Sequence, residues 1–259
     1  MEDFRRHTDA LASLETFDPS VFVGDDEAPQ EVCSLILSLA LIWNDCRDVS
    51  YARSLLSASR PPSEPGPTRE WGDYGGIDLH LFRYQVGLLH ELMALVCREQ
   101  FVARGYYLER LAIRLPSEVR DAWYSLVQVA AGTAPTDPLG QRLLTIRDRV
   151  HNNYDPRRLL TGYRNHFLGE HREDDRAFIS RGGDTGSTRF YFADAAAMGY
   201  LEEVPGGDDW DQLREDVQDV MRYVGDALMG IVDGFINRRT GAAVAVAASD
   251  EGHEGHVGP

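Results

Sequence analysis

The sequence contains no lysine: all 26 of its basic residues are arginine. This fits the coding bias of a GC-rich genome. It also leaves only cationic side chains that grip oxyanions with a two-pronged fork. Cysteine is scarce. Cys33, Cys46 and Cys97 lie in or beside apolar stretches with no CxxC pair, which excludes a disulfide scaffold and reads as three reduced core thiols. Long apolar runs are missing too. The longest, Val32 to Trp43, contains two serines and falls short of the ~20 residues that span a bilayer. The opening MEDFRRHTDA carries no apolar signal core. A cytoplasmic protein without membrane contact is therefore expected. No fixed-period repeat, GxSxG elbow, dinucleotide fingerprint or basic helix-turn-helix is found.

What is present is ordinary globular material. The chain has 259 residues, 43% hydrophobic and 26% charged, enough for a sizeable core. Its formal net charge is −16, so it repels nucleic acid and anionic membranes on average. The charge is unevenly spread. Residues 1–31 carry two arginines against nine acids, and 190–259 four against fourteen. Only 142–189 are positive, with ten arginines against seven acids.

Helical periodicity dominates. Val32, Leu35, Ile36, Leu39, Ile42, Cys46, Val49 and Leu56 step at three or four, giving a long helix over about 29–58. Residues 59–76 are rich in proline and glycine and read as a loop, its end pinned by Trp71 and Tyr74. A second long helix over about 77–104 is apolar on a wide face, which predicts a central position. Shorter helices follow over 106–114 and from Ser117, read as an N-cap, to Gly132. Asp137-Pro138 and Asp155-Pro156 each open a helix, the first running to about Asn152. In the second, 156–168, Leu160, Tyr163 and Phe167 are expected to face inward. Residues 177–192 read as a small β-hairpin insertion, and Asp194 to Tyr200 as one or two helical turns. A last helix runs from Asp208 or Asp209 to about Arg238. The fold class is thus mainly α, a bundle of about five to seven helices. An acidic arm over 1–28 precedes a single domain over 29–239, and a disordered tail covers 240–259.

The segment Ile146–Asp155 is the most unusual. Ile146 and Val150 share an inward face. Arg147 and His151 stand one turn apart beside it, with Asn152, Asn153 and Tyr154 at the helix end. An arginine, an imidazole and two amides at one point can hold a phosphate, and the imidazole can move a proton. The same residues also suit a plain helix end, satisfying its last carbonyls.

Arg147-Asp148 with a histidine soon after, late in a helical bundle, resembles the signature of HEPN domains. The resemblance covers about residues 29–170. It implies a metal-independent ribonuclease, as in defence systems, with the arginine and histidine of two protomers converging on RNA in a homodimer. The family histidine falls where this chain has Asn152, Asn153 or Tyr154, and His151 stands one residue early. Either His151 serves from the shifted position or the site is degenerate. On this reading Arg147, His151, Asn152, Asn153 and Tyr154 form the catalytic pocket, and Arg149, Arg157, Arg158 and Arg164 contact the RNA backbone across a 142–167 patch. No metal or other cofactor is implied. The alternative is a non-enzymatic interaction module whose acidic surface meets a basic protein partner.

Lesser candidates are Asn44, Asp45 and Asp48, read as a buried polar cluster around an arginine such as Arg83. His90-Glu91 lacks the second histidine of a zinc HExxH, since position 94 is Ala94. His253 and His256 form an HxxH, and Gly182–Gly186 a glycine-rich turn without the lysine of a phosphate loop.

Overall fold

The computed structural model describes residues 16–62, 68–133, 140, 141, 143, 156–168, 177–180, 188–201 and 210–250. Among them the chain is mainly helical. A single 3-10 turn, Pro19–Phe22, precedes α1 (Gln30–Ala58), α2 (Arg69–Arg98), α3 (Gln100–Ala103) and α4 (Tyr106–Ala112). Then come α5 (Ser117–Ala130), α6 (Pro156–Leu168), α7 (Tyr191–Leu201) and α8 (Trp210–Asp250).

The entry to α1 is built from side chains. Asp25 Oδ1 accepts from the backbone N–H groups of Glu27 (3.0 Å) and Ala28 (2.8 Å). Gln30 reaches back to accept from Gly24 N–H. Pro29 then starts the helix with no donor to waste. Along its exposed side, Ser34, Ser38 and Ser54 each donate to the carbonyl four residues earlier, which satisfies hydroxyls that would otherwise compete with the helix.

α2 departs from the expected loop over 59–76, because the helix begins at Arg69. Thr68 Oγ1 accepts from Trp71 N–H as its N-cap, and Trp71 Nε1 donates to the Pro62 carbonyl. Gly72, Gly75 and Gly76, which suggested a loop, are helical, and two of them make room. The Tyr191 ring lies against Gly72, where a Cβ would come within 2.6 Å of it, and the Arg189 guanidinium lies against Gly76. Tyr191 donates to Asp73 Oδ1 at 3.1 Å, so these packings outweigh the helix cost of glycine.

α5 ends as its sequence dictates. Gly132 sits at φ +75°. Its N–H bonds the Val129 carbonyl, and Thr133 N–H bonds that of Gln128, the paired bonds of a Schellman stop. At the start of α5, Ser117 is the first helical residue rather than the cap, which is Pro116.

One core unites α1, α2, α4, α5 and α8, with Ile36, Leu39, Phe82, Leu89, Trp123 and Phe235 fully buried. α2 packs against α1, α5, α7 and α8, the central place its broad apolar face predicts. α6 packs chiefly on α7. Their backbones meet at Gly162 and Gly199, where a Cβ on either would strike the other helix. This turns α6 around Gly162, so Leu160 is exposed rather than inward.

Three further expectations are corrected. The β-hairpin over 177–192 is not formed: among the described residues there is only an isolated antiparallel bridge between Ser180 and Arg189. The second strand is cut short because Tyr191 already opens α7. The last helix continues to Asp250, into the segment expected to be a tail, consistent with the strong helix propensity of its alanines. Residues 251–259 lie outside the described residues. Cys33 and Cys46 are buried but Cys97 is exposed. Among the described residues no helix is long and apolar enough to cross a membrane.

Candidate functional site

A cavity of about 690 Å³ opens between α1, α2 and α8, within the size range of small-molecule sites. α1 supplies one wall from residues at helical spacing: Trp43, Cys46, Arg47, Ser50, Arg53 and Ser54. α2 adds Tyr74, Asp78 and Gln85, and α8 adds Arg214, Gln218, Met221 and Arg222.

The floor is a buried polar triad in an apolar setting. Arg53 is 7% exposed and Gln85 2%. Arg53 NH1 donates to Gln85 Oε1 at 2.5 Å, and its NH2 to Asp78 Oδ1 at 3.3 Å. The second oxygen of Asp78 lies 3.1 Å from Arg214 NH2. One carboxylate thus holds two guanidiniums. Burial lowers the proton affinity of Arg53 first; Asp78 opposes this and the charge of Arg214 adds to it. Cys46, beside this floor, has its thiol pushed up to about 12 by burial and by Asp45. It is a packing residue there rather than a nucleophile.

The rim is polar and wetter. Arg47 pairs with Asp48 at 2.8 Å and Arg222 with Asp219 at 2.9 Å, while Asp226 stands exposed at the mouth. Ser50 donates to the Cys46 carbonyl, so its hydroxyl oxygen can still accept. Two planar forks at different depths, separated by a carboxylate, suit an oxyanion.

Of the catalytic and RNA-binding candidates singled out in the sequence, none among the described residues lines this cavity. Arg147, Arg149, His151, Asn152, Asn153 and Tyr154 are outside the described residues, as are His253, His256 and 182–186. Arg157 and Arg164 stand exposed on α6. Arg158 is half-buried, its guanidinium 5.3 Å from the centre of the Tyr200 ring, so it serves the α6–α7 packing. Asn44 and Asp48 are exposed, and the buried arginine cluster forms on Arg53 instead of Arg83. The signal was available. Arg53 continues the apolar Cys46–Val49 series of α1, and Asp78 and Gln85, seven apart, flank Leu79, Phe82 and Val86 on the core face of α2. Among the described residues no three His, Cys, Asp or Glu side chains group as a metal site.

Compared with known proteins, the chain matches no family model, no curated protein and no solved structure.

Proposed function

We propose that this chain is a helical binding protein for a small oxyanion-bearing molecule, a phosphate or carboxylate compound, taken into the cavity between α1, α2 and α8. The observation that carries this reading is the floor: the guanidiniums of Arg53 and Arg214 converge on the carboxylate of Asp78 beneath a cavity of about 690 Å³. Guanidinium groups grip oxyanions through paired, charge-assisted hydrogen bonds. The deeper guanidinium would fix the anionic head, and Trp43, Tyr74 and Met221 would cover the less polar part of the ligand. The test is calorimetric titration with inorganic phosphate, a nucleoside monophosphate and citrate. Saturable binding of at least one probe is expected, weakened tenfold or more by Arg214→Gln. Binding unchanged by that substitution, or no binding by any probe, would sink the reading.

A second reading keeps the HEPN-like expectation of RNA binding or cleavage by a homodimer. It is favoured by Arg157 and Arg164, exposed seven residues apart on one face of α6. RNA integrity at low salt, with EDTA present, tests it. Cleavage that disappears in both Arg147→Ala and His151→Ala would support a metal-independent ribonuclease. Intact RNA together with no gel-shift would leave the cavity reading alone.

A further inference from the structure

A second concavity, of about 580 Å³, lies at the N-terminal end of α1, where the turn before α1 faces α3 and α4. Its character differs from that of the arginine-floored cavity. Phe101 on α3 is 88% exposed and Tyr106 on α4 is 72% exposed, two large rings in water a few residues apart. Val32, Val102 and Tyr107 continue the apolar surface between them. Exposed rings in a shallow groove rimmed by charge are the usual form of a partner site.

The charges around it are not equivalent. Both arginines of the groove are engaged within the chain. Arg110 donates to the Tyr106 hydroxyl at 3.0 Å and lies over its ring. Arg238 binds Glu27 at 2.6 Å and lies over the Tyr107 ring. By contrast, Asp26 and Glu31 stand exposed on the rim, with no cationic partner among the described residues. The unspent charge of the groove is negative.

Two polar atoms beside it are also unspent. The Tyr107 hydroxyl and NH1 of Arg238 are both buried without a hydrogen-bond partner, although both residues line the groove. Each can donate, and an unpaired buried donor costs about 1–3 kcal/mol. The guanidinium carbon of Arg238 is 5.0 Å from the centre of the Tyr107 ring, so the two donors belong to side chains that already pack together.

We infer that this groove binds an extended segment of a partner protein that places a large apolar side chain beside a lysine or arginine. The apolar side chain lies between Phe101 and Tyr106. The cation meets Asp26 and Glu31. This site is separate from the oxyanion cavity and does not depend on it.

The experiment is selection of a random-peptide phage library on the full chain, counter-selected on a Phe101→Ser, Tyr106→Ser double variant. Both positions are exposed, and thermal unfolding checks that the double variant keeps its fold. Enriched peptides should pair a large apolar residue with Lys or Arg. A synthetic copy of one such peptide should bind the wild type by fluorescence anisotropy. Its affinity should fall tenfold or more in the double variant and several-fold in Asp26→Asn, Glu31→Gln, the second loss shrinking at high salt. Acidic or purely apolar consensus sequences, or affinity indifferent to both variants, would overturn the inference. So would sedimentation showing a self-dimer that the double variant dissolves, since the occupant would then be a second copy.

Discussion

Arg53 and Asp78 are buried together at the floor of the α1–α2–α8 cavity, 3.3 Å apart, and Arg214 holds the other oxygen of the same carboxylate at 3.1 Å. The triad ties three long helices at one point. Removing the shared member leaves two cations facing each other in a confined site. Asp78→Ala is therefore expected to cost on the order of 3–5 kcal/mol, read from urea denaturation. Arg214→Gln, at the wetter edge, should cost about 1 kcal/mol. A loss for Asp78→Ala no larger than that for Arg214→Gln would show that the triad does not clamp the helices.

Two glycines of the same chain should answer an added methyl with opposite signs. At Gly75, in mid-helix, a Cβ meets nothing within 4 Å, so Gly75→Ala should stabilise by about 0.5–1 kcal/mol. At Gly162 a Cβ would fall on the Ala196 carbonyl and 2.5 Å from Tyr200 N. Both are backbone atoms that cannot swing aside. Gly162→Ala should lift α6 from α7, seen as faster hydrogen exchange across residues 156–168 and 191–201 while α1 and α2 stay protected.

The turn before α1 should be acid-labile. The Ala28 backbone N–H, then the Arg239 guanidinium, hold the Asp25 carboxyl below its ordinary value of 3.8. A depressed acid stabilises above its unfolded pKa and loses that contribution as pH falls through the folded one. The wild type should thus lose stability relative to Asp25→Asn as pH drops below about 4, and the two should run parallel at neutral pH. Parallel curves throughout would deny Asp25 that role.

The three thiols should separate cleanly. Cys97 is exposed, while Cys33 and Cys46 are buried, the latter with its thiol pushed up to about 12. Brief treatment with iodoacetamide near neutral pH should modify Cys97 alone, and all three only after unfolding, as read by peptide mass spectrometry. Native labelling of Cys46 would mean that the cavity floor opens readily.

Much of the bundle could be read from periodicity because its apolar faces are wide and its stops are local. Gly132 is such a stop: its positive φ and the two hydrogen bonds after it depend on neighbours in sequence. The start of α2 is the opposite case. Gly72 and Gly76 look like loop residues until Tyr191 and Arg189, more than a hundred positions later, occupy the space they leave. The hairpin failed for the same reason, since Tyr191 and Phe192 have the composition of a strand but are taken into α7 by packing on α2. Arg53, Asp78 and Gln85 sat at core positions of correctly read helices. Their polarity argued for a surface that the third helix, α8, removes. The segment around Arg147, marked out by its helical spacing and charge, lies outside the described residues.

The pairs Arg238–Glu27 and Arg239–Asp25 join groups 211 and 214 positions apart. α8 also brings Val217, Val220, Val224, Leu228, Ile231 and Phe235 to the core and Arg214 to the triad. A chain emerging from the ribosome therefore exposes the apolar faces of α1, α2 and α5 until α8 is released. Completion of this core must wait for α8, with a correspondingly slow closure. For this protein, guarding the nascent chain is as much a part of obtaining the cavity as the residues that line it.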